Sequence, residues 1–122
     1  MSQRILVVED DLDNLRITTT VLSREGYEVV SARDAVTALA AIAAVPPALV
    51  VLDLDLPGVS GFEAAQRIRL REESRDLPIL ALTALANRAD AVRAREAGCD
   101  DVLTKPCRPE ALRERVRRWL AA

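Results

Sequence analysis

Hydrophobic and polar positions follow two different periods along this chain. Five short runs are rich in aliphatic residues, and the middle one, Leu49–Leu52, contains no polar residue. Strands without polar positions are typical of a parallel sheet that is covered on both faces. The runs predict strands at Ile5–Val8, Glu28–Ala32, Leu49–Asp53, Ile79–Thr83 and Asp101–Thr104.

The segments between these strands carry apolar residues at helical spacing and are bounded by helix start and stop signals. Gly26 and Gly98 follow two of the segments, the pair Pro46-Pro47 follows another, and Pro109 suits the first turn of the last one. The predicted helices cover Leu12–Glu25, an alanine-rich segment between a capping Asp34 and Pro46, Gly61–Glu73, Arg88–Ala97 and Pro109–Leu120.

Five strand–helix units in succession predict an α/β fold. Right-handed crossovers distribute the helices over both faces of the sheet, which gives a doubly wound three-layer sandwich. Five units without a sixth favour the flavodoxin-like (βα)5 arrangement with strand order 2-1-3-4-5, in which ligands bind at the carboxyl ends of strands 1 and 3. The chain has 122 residues and no linker or low-complexity segment, so we expect residues 1–122 to form one domain.

Composition excludes several kinds of site and partner. The chain has no histidine, so it carries neither a Ser-His-Asp triad nor a histidine-ligated zinc site. Its four glycines are scattered, which excludes a P-loop and a dinucleotide-binding loop. A formal net charge of −2 gives no basic footprint, so we expect no direct contact with nucleic acid. Neither a signal peptide nor an apolar run of membrane-spanning length is present, so we expect a cytoplasmic protein without a membrane partner.

Acidic residues follow two strands that the predicted order makes neighbours. Glu9, Asp10 and Asp11 come after the first strand, and Asp53 closes the third. Because these carboxyl ends meet at one edge of the sheet, we expect a cluster of carboxylates there. Oxygen ligands without cysteine or histidine select a hard cation, and Mg²⁺ suits them, with Mn²⁺ as an alternative. Helix capping is the competing explanation for the first three acids, and Asp11 in particular is expected to be a cap.

Two further polar side chains are predicted at the same edge. Thr83 closes the fourth strand, although a β-branched residue there is also ordinary strand chemistry. Lys105, the single lysine among 17 basic residues, follows the fifth strand, and its ammonium can pair with a carboxylate or a phosphoryl oxygen. An aspartate beside Mg²⁺, an ammonium and a hydroxyl can attack phosphorus and become an aspartyl phosphate. We therefore interpret Asp53 as a phosphoryl acceptor.

Four stretches together resemble the receiver domains of response regulators over the whole chain, namely ILVVEDD, LVVLDLDLPGVSGFE, ILALTA and AGCDDVLTKP. The resemblance implies that Asp53 accepts its phosphoryl group from a histidine kinase or a histidine phosphotransfer protein. It implies that Mg²⁺ is bound by the side chains of Glu9, Asp10 and Asp53 and by the backbone carbonyl of Asp55. It also implies a cis peptide bond between Lys105 and Pro106.

The same resemblance implies a conformational switch in which Thr83, Ala84 and Lys105 bind the phosphoryl group. A downstream protein target would bind the face made by helix 4, strand 5 and helix 5. Receivers usually carry an aromatic residue within the fifth strand, where this chain has Val102, and we name this position the coupling position. Valine is too short and too stiff to sweep between buried and exposed sites. We therefore expect the change to pass through Lys105 and the backbone between Thr83 and Arg88.

Two other functions stay open at this point. The stretch DLDLPG contains the D-x-D pair of haloacid-dehalogenase-type phosphohydrolases, although that family has it after the first strand and Pro57 follows it here. The second alternative is a receiver-like interaction module that is not phosphorylated, which the unusual Val102 favours and the complete acidic set disfavours. The receiver interpretation implies no turnover of an external substrate.

Overall fold

The computed structural model describes residues 3–56, 58–84 and 88–121. Within them, strands and helices alternate as β1 Arg4–Val8, α1 Leu12–Arg24, β2 Glu28–Ala32, α2 Ala35–Ala44, β3 Leu49–Asp53, α3 Gly61–Leu70, β4 Ile79–Thr83, α4 Arg88–Ala97, β5 Asp101–Thr104 and α5 Pro109–Leu120. Every strand pairing is parallel, and the strands lie in the order β2-β1-β3-β4-β5. The predicted α/β fold and strand order are confirmed.

The sheet separates two hydrophobic clusters, because successive side chains of a strand point to opposite faces. On one face, Ile5 and Val7 of β1 pack with residues of α1 and α5. On the other face, Leu6 and Val8 pack with residues of α2, α3 and α4. The chain is therefore the predicted three-layer sandwich, and β3 is buried at every position. None of the described helices has the length and apolar character needed to cross a membrane.

Helix α3 ends at Leu70, whereas the sequence predicted an end at Glu73, and a 3₁₀ turn follows at Glu72–Ser74. The hydroxyl of Ser74 donates a hydrogen bond of 2.6 Å to the carbonyl of Ile68. This side chain thereby satisfies a carbonyl that a longer helix would have used for its own backbone. The longer prediction was wrong because this local side-chain hydrogen bond outweighs the helix propensity of the charged residues. Helix α1 ends one residue earlier than predicted.

Gly61 allows the start of α3 to approach the chain that follows β3. A Cβ atom at this position would overlap the carbonyl oxygen of Asp53 and the Cα atom of Leu54. The backbone N–H of Gly61 donates to the Leu54 carbonyl at 3.3 Å, and Ser60 caps the helix by accepting from the Glu63 amide. This close approach sets the position of the carboxyl end of β3.

Asp101 joins the edge strand β5 to helix α5. Its carboxylate accepts hydrogen bonds from the Trp119 indole at 2.9 Å, from Arg115 at 2.7 Å and from the Val102 amide at 2.9 Å. Arg115 also reaches the carbonyl of Val102 at 3.4 Å. Burial raises the pKa of the Asp101 carboxyl, but the three hydrogen bonds outweigh burial and hold the net pKa below its usual value. The start of β5 is thus held to α5 by an ionised carboxylate.

Gly61→Ala should lower the free energy of unfolding by about 1–3 kcal/mol, because overpacking against backbone atoms forces one segment to move. Gly26→Ala is the matched control, since nothing lies within 4 Å of the added methyl group and only its positive φ of 92° is strained. Urea unfolding measures the loss of unfolding free energy in both variants. NMR spectra of the backbone amides distinguish the two causes. The amide signals of residues 53 and 54 should shift in Gly61→Ala and stay in place in Gly26→Ala. Unchanged signals in both variants would contradict the close approach.

Asp101→Ala should lower the free energy of unfolding at pH 7 by about 2–3 kcal/mol, the usual worth of hydrogen bonds to a charged group. Because the folded pKa of Asp101 lies below its unfolded value, this contribution is present above about pH 4 and is lost as the pH falls through the folded pKa. Denaturant unfolding of both chains between pH 7 and pH 2 tests this, and the difference between them should shrink at low pH. Glu114→Ala, which breaks only an exposed pair with Arg118, should cost less than about 1 kcal/mol. A difference that is independent of pH would rule out the ionised carboxylate.

Candidate functional site

The functional candidates lie where the parallel strands end. Glu9 follows β1, Asp53 is the last residue of β3, Thr83 is the last residue of β4, and Lys105 follows β5. Because the strands run in one direction, these positions share one edge of the sheet. Glu9, Asp53 and Thr83 are only 5%, 2% and 2% exposed. The structure therefore brings the predicted side chains together in a largely buried position.

Glu9, Asp10 and Asp53 form an acidic cluster, in which one carboxylate oxygen from each residue lies within 4.8 Å of the others. Carboxylates at this spacing repel one another unless one is protonated or a cation joins them. Burial, followed by the hydrogen bond and the negative charge of Asp53, raises the pKa of Glu9 to about 8. Ionising Glu9 beside Asp53 is therefore unfavourable unless a positive charge joins the cluster.

Lys105 contributes a positive charge to this cluster. Its Nζ lies 3.0 Å from Oδ1 of Asp53 and 3.8 Å from Oε1 of Glu9. Burial opposes the charged ammonium, but the hydrogen bond to Asp53 and the surrounding carboxylates raise the pKa of Lys105 above its ordinary value. Burial also raises the pKa of Asp53, yet hydrogen bonds from Glu9, the Asp55 amide and Lys105 outweigh burial and leave the net pKa lowered. Asp53 is therefore an ionised carboxylate, which is an oxygen nucleophile.

The sequence interpretation missed the side chain of Asp55, to which it assigned only a backbone carbonyl role. The Asp55 carboxylate accepts a hydrogen bond from the Ala84 amide at 3.1 Å and lies 3.5 Å from Oγ1 of Thr83. Its Oδ2 is 3.8 Å from Nζ of Lys105, and its backbone N–H donates to Oδ1 of Asp53 at 2.9 Å. In the sequence, Asp55 was recognisable as the second acid of the D-x-D pair. The direction of its side chain, however, depends on the turn that follows β3.

Capping contacts fix the acidic loop after β1. Asp11 is the N-cap of α1 and accepts from the Asn14 amide at 3.0 Å, so its predicted capping role is confirmed. The Asp11 amide lies 3.4 Å from a carboxylate oxygen of Glu9 and donates to it. Arg33, an exposed residue after β2, donates to the carbonyl of Asp10 at 3.1 Å, and no sequence signal indicated this contact. These contacts hold the backbone that carries the acidic cluster.

The residues of the expected switch lie around β5 and after β4. The peptide bond between Lys105 and Pro106 is cis. Val102 is half-buried and packs against the hydrophobic cluster that includes α2, α3 and α4. The backbone between Thr83 and Arg88, through which we expected a change to pass, falls mostly on residues 85–87, which lie outside the described residues.

The arrangement meets the requirements of nucleophilic attack on phosphorus. Asp53 is ionised and accepts hydrogen bonds from Lys105 and the Asp55 amide. Lys105, Thr83 and the Ala84 amide offer a cation, a hydroxyl and an N–H at the same edge of the sheet. The acidic cluster supplies only oxygen ligands, as a hard divalent cation requires. The raised pKa of Glu9 indicates an electrostatic cost within the cluster, which such a cation would relieve. The site therefore fits Mg²⁺.

A family model described as the response regulator receiver domain matches residues 5–117. The probable transcriptional regulator ycf27 of Cyanophora paradoxa is 44% identical over 118 residues, which cover 97% of this chain and 48% of that protein. The chain thus spans about half the length of this relative, and it spans a still smaller share of some others.

Two solved structures have closely similar folds. The chemotaxis protein CheY4 of Vibrio cholerae superposes with a TM-score of 0.94 at 28% identity, covering 98% of this chain and 100% of that one. The receiver domain of the sensor histidine kinase PA1611 of Pseudomonas aeruginosa PAO1, with magnesium coordinated in its active-site cleft, gives a TM-score of 0.92 at 32% identity and full coverage of both chains. Response regulator receiver domains are signalling switches and not enzymes that turn over an external substrate. This chain belongs to the family of response regulator receiver domains of two-component systems.

Proposed function

We propose that Asp53 accepts a phosphoryl group from a histidine kinase or a histidine phosphotransfer protein and that this modification changes the partner-binding surface. The observation that carries the proposal is the environment of Asp53, a buried and ionised carboxylate whose Oδ1 lies 3.0 Å from Nζ of Lys105. A buried charge is costly unless it is paired and hydrogen-bonded. A position that keeps such a carboxylate ionised and places donors beside it suits a nucleophile better than a structural residue.

The transfer proceeds by substitution at phosphorus. One carboxylate oxygen of Asp53 forms a bond to phosphorus while the bond from phosphorus to the donor's imidazole nitrogen breaks, and the nitrogen keeps the electron pair. Asp53 does not need to lose a proton, because it is already ionised. Lys105 pairs with the oxygens of the transferred group, while Thr83 and the Ala84 amide donate hydrogen bonds to them. The chain catalyses its own modification, and hydrolysis of the acyl phosphate restores the carboxylate.

Glu9, Asp10 and Asp53 would hold Mg²⁺ through their carboxylates, with the backbone carbonyl of Asp55 as a further oxygen ligand. Mn²⁺ prefers similar oxygen ligands and is the alternative ion. When bound, the cation supplies neutralisation of the charge on the phosphoryl oxygens. Two findings support this assignment, namely the spacing of the acidic cluster and the magnesium ion in the cleft of the PA1611 receiver.

The proposed switch differs from one that swings an aromatic ring. Val102 occupies the coupling position, and the apolar area that a valine can hide or expose is small, so it contributes little coupling free energy. We assign the change instead to Thr83, Lys105 and the backbone leading to Arg88. The face of α4, β5 and α5 would then present the altered surface to a downstream protein.

In this function, residues 1–122 act as one receiver domain in the cytoplasm. The domain would contact neither nucleic acid nor a membrane, because a formal net charge of −2 gives no basic footprint. The ycf27 relative is named a transcriptional regulator, and this chain spans 48% of it. DNA binding by a regulator of that length does not require contact through the receiver.

A receiver-like interaction module that is not phosphorylated is the second candidate. Val102 is the observation that favours it, because the usual aromatic residue of the switch is absent from this position. The two candidates differ in whether Asp53 reacts, so one experiment separates them.

With acetyl phosphate and Mg²⁺, the intact chain should gain roughly 80 Da, the mass of one phosphoryl group, through nucleophilic attack by Asp53. Intact-protein mass spectrometry measures this gain. Asp53→Asn should not gain mass, whereas Asp76→Asn, which removes an exposed acid ahead of β4, should react like the original chain. Failure of the original chain to react would favour the unphosphorylated interaction module, and labelling that persists in Asp53→Asn would move the acceptor elsewhere.

Mg²⁺ should stabilise the chain, because a bound cation relieves the repulsion within the acidic cluster. At ten times its dissociation constant the ion should add about 1.4 kcal/mol, which is a rise of several degrees in the melting temperature of a domain of this size. Thermal unfolding across a Mg²⁺ titration measures the effect. Asp10→Asn should lose most of it, and Asp76→Asn should keep it. An identical titration for Asp10→Asn would show that Asp10 is not a ligand.

A further inference from the structure

The carboxylate of Asp55 already occupies the donors that the phosphoryl group would use. It accepts from the Ala84 amide at 3.1 Å, lies 3.5 Å from the Thr83 hydroxyl and lies 3.8 Å from the Lys105 ammonium. These three groups come from the end of β4 and the end of β5, and the Asp55 side chain bridges them from the turn after β3. It is 38% exposed, so space is available for it to move outward.

A phosphoryl group on Asp53 needs the same hydrogen-bond donors. It carries a charge between −1.5 and −2 and three acceptor oxygens at neutral pH. The Ala84 amide has one hydrogen to donate, so it cannot serve a carboxylate and a phosphoryl oxygen equally well at the same time. Two anions side by side also repel each other, which adds to the competition.

We propose that the Asp55 carboxylate is an internal stand-in for the phosphoryl group, which holds the Thr83–Ala84 segment and Lys105 until phosphorylation displaces it. This inference rests on the proposed phosphorylation of Asp53. Asp55 is a positioning residue in this scheme, because it acts through the donors of β4 and β5 and forms no bond to phosphorus. It positions Thr83 and Ala84 in the unmodified chain and slows the modification.

Two variants separate the charge of Asp55 from its hydrogen bonding. Asp55→Asn keeps an oxygen that can accept from the Ala84 amide but has no negative charge. Asp55→Ala removes both. Neither substitution alters the backbone carbonyl assigned to the metal. Asp76→Asn removes a negative charge from an exposed position ahead of β4 and controls for net charge.

The first measurement needs neither metal nor phosphodonor. Two-dimensional NMR spectra of the metal-free chain measure the hydrogen exchange of the Ala84 amide. This exchange should be faster in Asp55→Ala than in the original chain. In Asp55→Asn the protection should be largely retained, because the amide oxygen replaces the carboxylate oxygen as acceptor. Equal protection in the original chain and in Asp55→Ala would overturn the proposal.

The second measurement is the rate constant of phosphorylation by acetyl phosphate at a Mg²⁺ concentration that saturates each chain. Asp55→Asn should react roughly fivefold faster than the original chain, the effect expected from the loss of one partly exposed charge interaction. Asp55→Ala should react at least as fast, because it also removes the acceptor that competes for the Ala84 amide. A purely structural role would instead leave Asp55→Asn unchanged and slow Asp55→Ala. Rates that are unchanged or lower in both variants would overturn the proposal.

The failure of this inference is distinguishable from the failure of the proposed function. If the original chain and the control are phosphorylated but the Asp55 variants behave as the original chain does, Asp53 remains the acceptor and only the stand-in role is wrong. If the original chain gains no phosphoryl group at all, the proposed function fails and the inference fails with it. Thermal unfolding of each variant verifies folding, and the exposed position of Asp55 makes a large loss unexpected.

Discussion

The ion pair between Lys105 and Asp53 allows this fold to bury negative charge at the edge of its sheet. Asp53 and Glu9 are almost fully buried, and an uncompensated charge at such a depth costs several kcal/mol. The compensation for Asp53 comes from two hydrogen-bond donors, namely the ammonium of Lys105 at 3.0 Å and the backbone amide of Asp55 at 2.9 Å. Apolar residues of similar size would often be at least as stable as such an arrangement. The arrangement is therefore useful for chemistry, because it keeps the Asp53 carboxylate ionised beside hydrogen-bond donors that can bind an anion.

This compensation depends on the order of the strands. Glu9 and Asp53 become neighbours because β1 and β3 pair in parallel register, and Lys105 reaches them because β4 separates β5 from β3 by a single strand. The turn after β3 must also pass close to α3, and only the absence of a side chain at Gly61 permits that approach. The position of the nucleophile is thus set by main-chain packing, and the charged side chains then adjust to it.

Sequence patterns could predict the parts of this structure that local chemistry determines. The uninterrupted apolar run of β3 indicated a strand buried on both faces, and the strand order then placed Glu9, Asp53, Thr83 and Lys105 at one edge. Side-chain contacts that depend on the geometry of turns were not predictable in this way. The hydrogen bond that ends α3 at Leu70 and the contact of Asp55 with the Ala84 amide depend on turns whose geometry follows from tertiary packing. The periodicity of the sequence carries no information about them.

The two ends of β5 belong to different polar networks. Asp101 at its start is bound by Arg115 and Trp119 of α5, whereas Lys105 just beyond its end is bound to Asp53. The Val102 amide and carbonyl both take part in the first network, so the backbone of the strand is tied to α5. The two networks therefore fix both ends of this short strand through charge-assisted hydrogen bonds, which are about twice as strong as neutral ones.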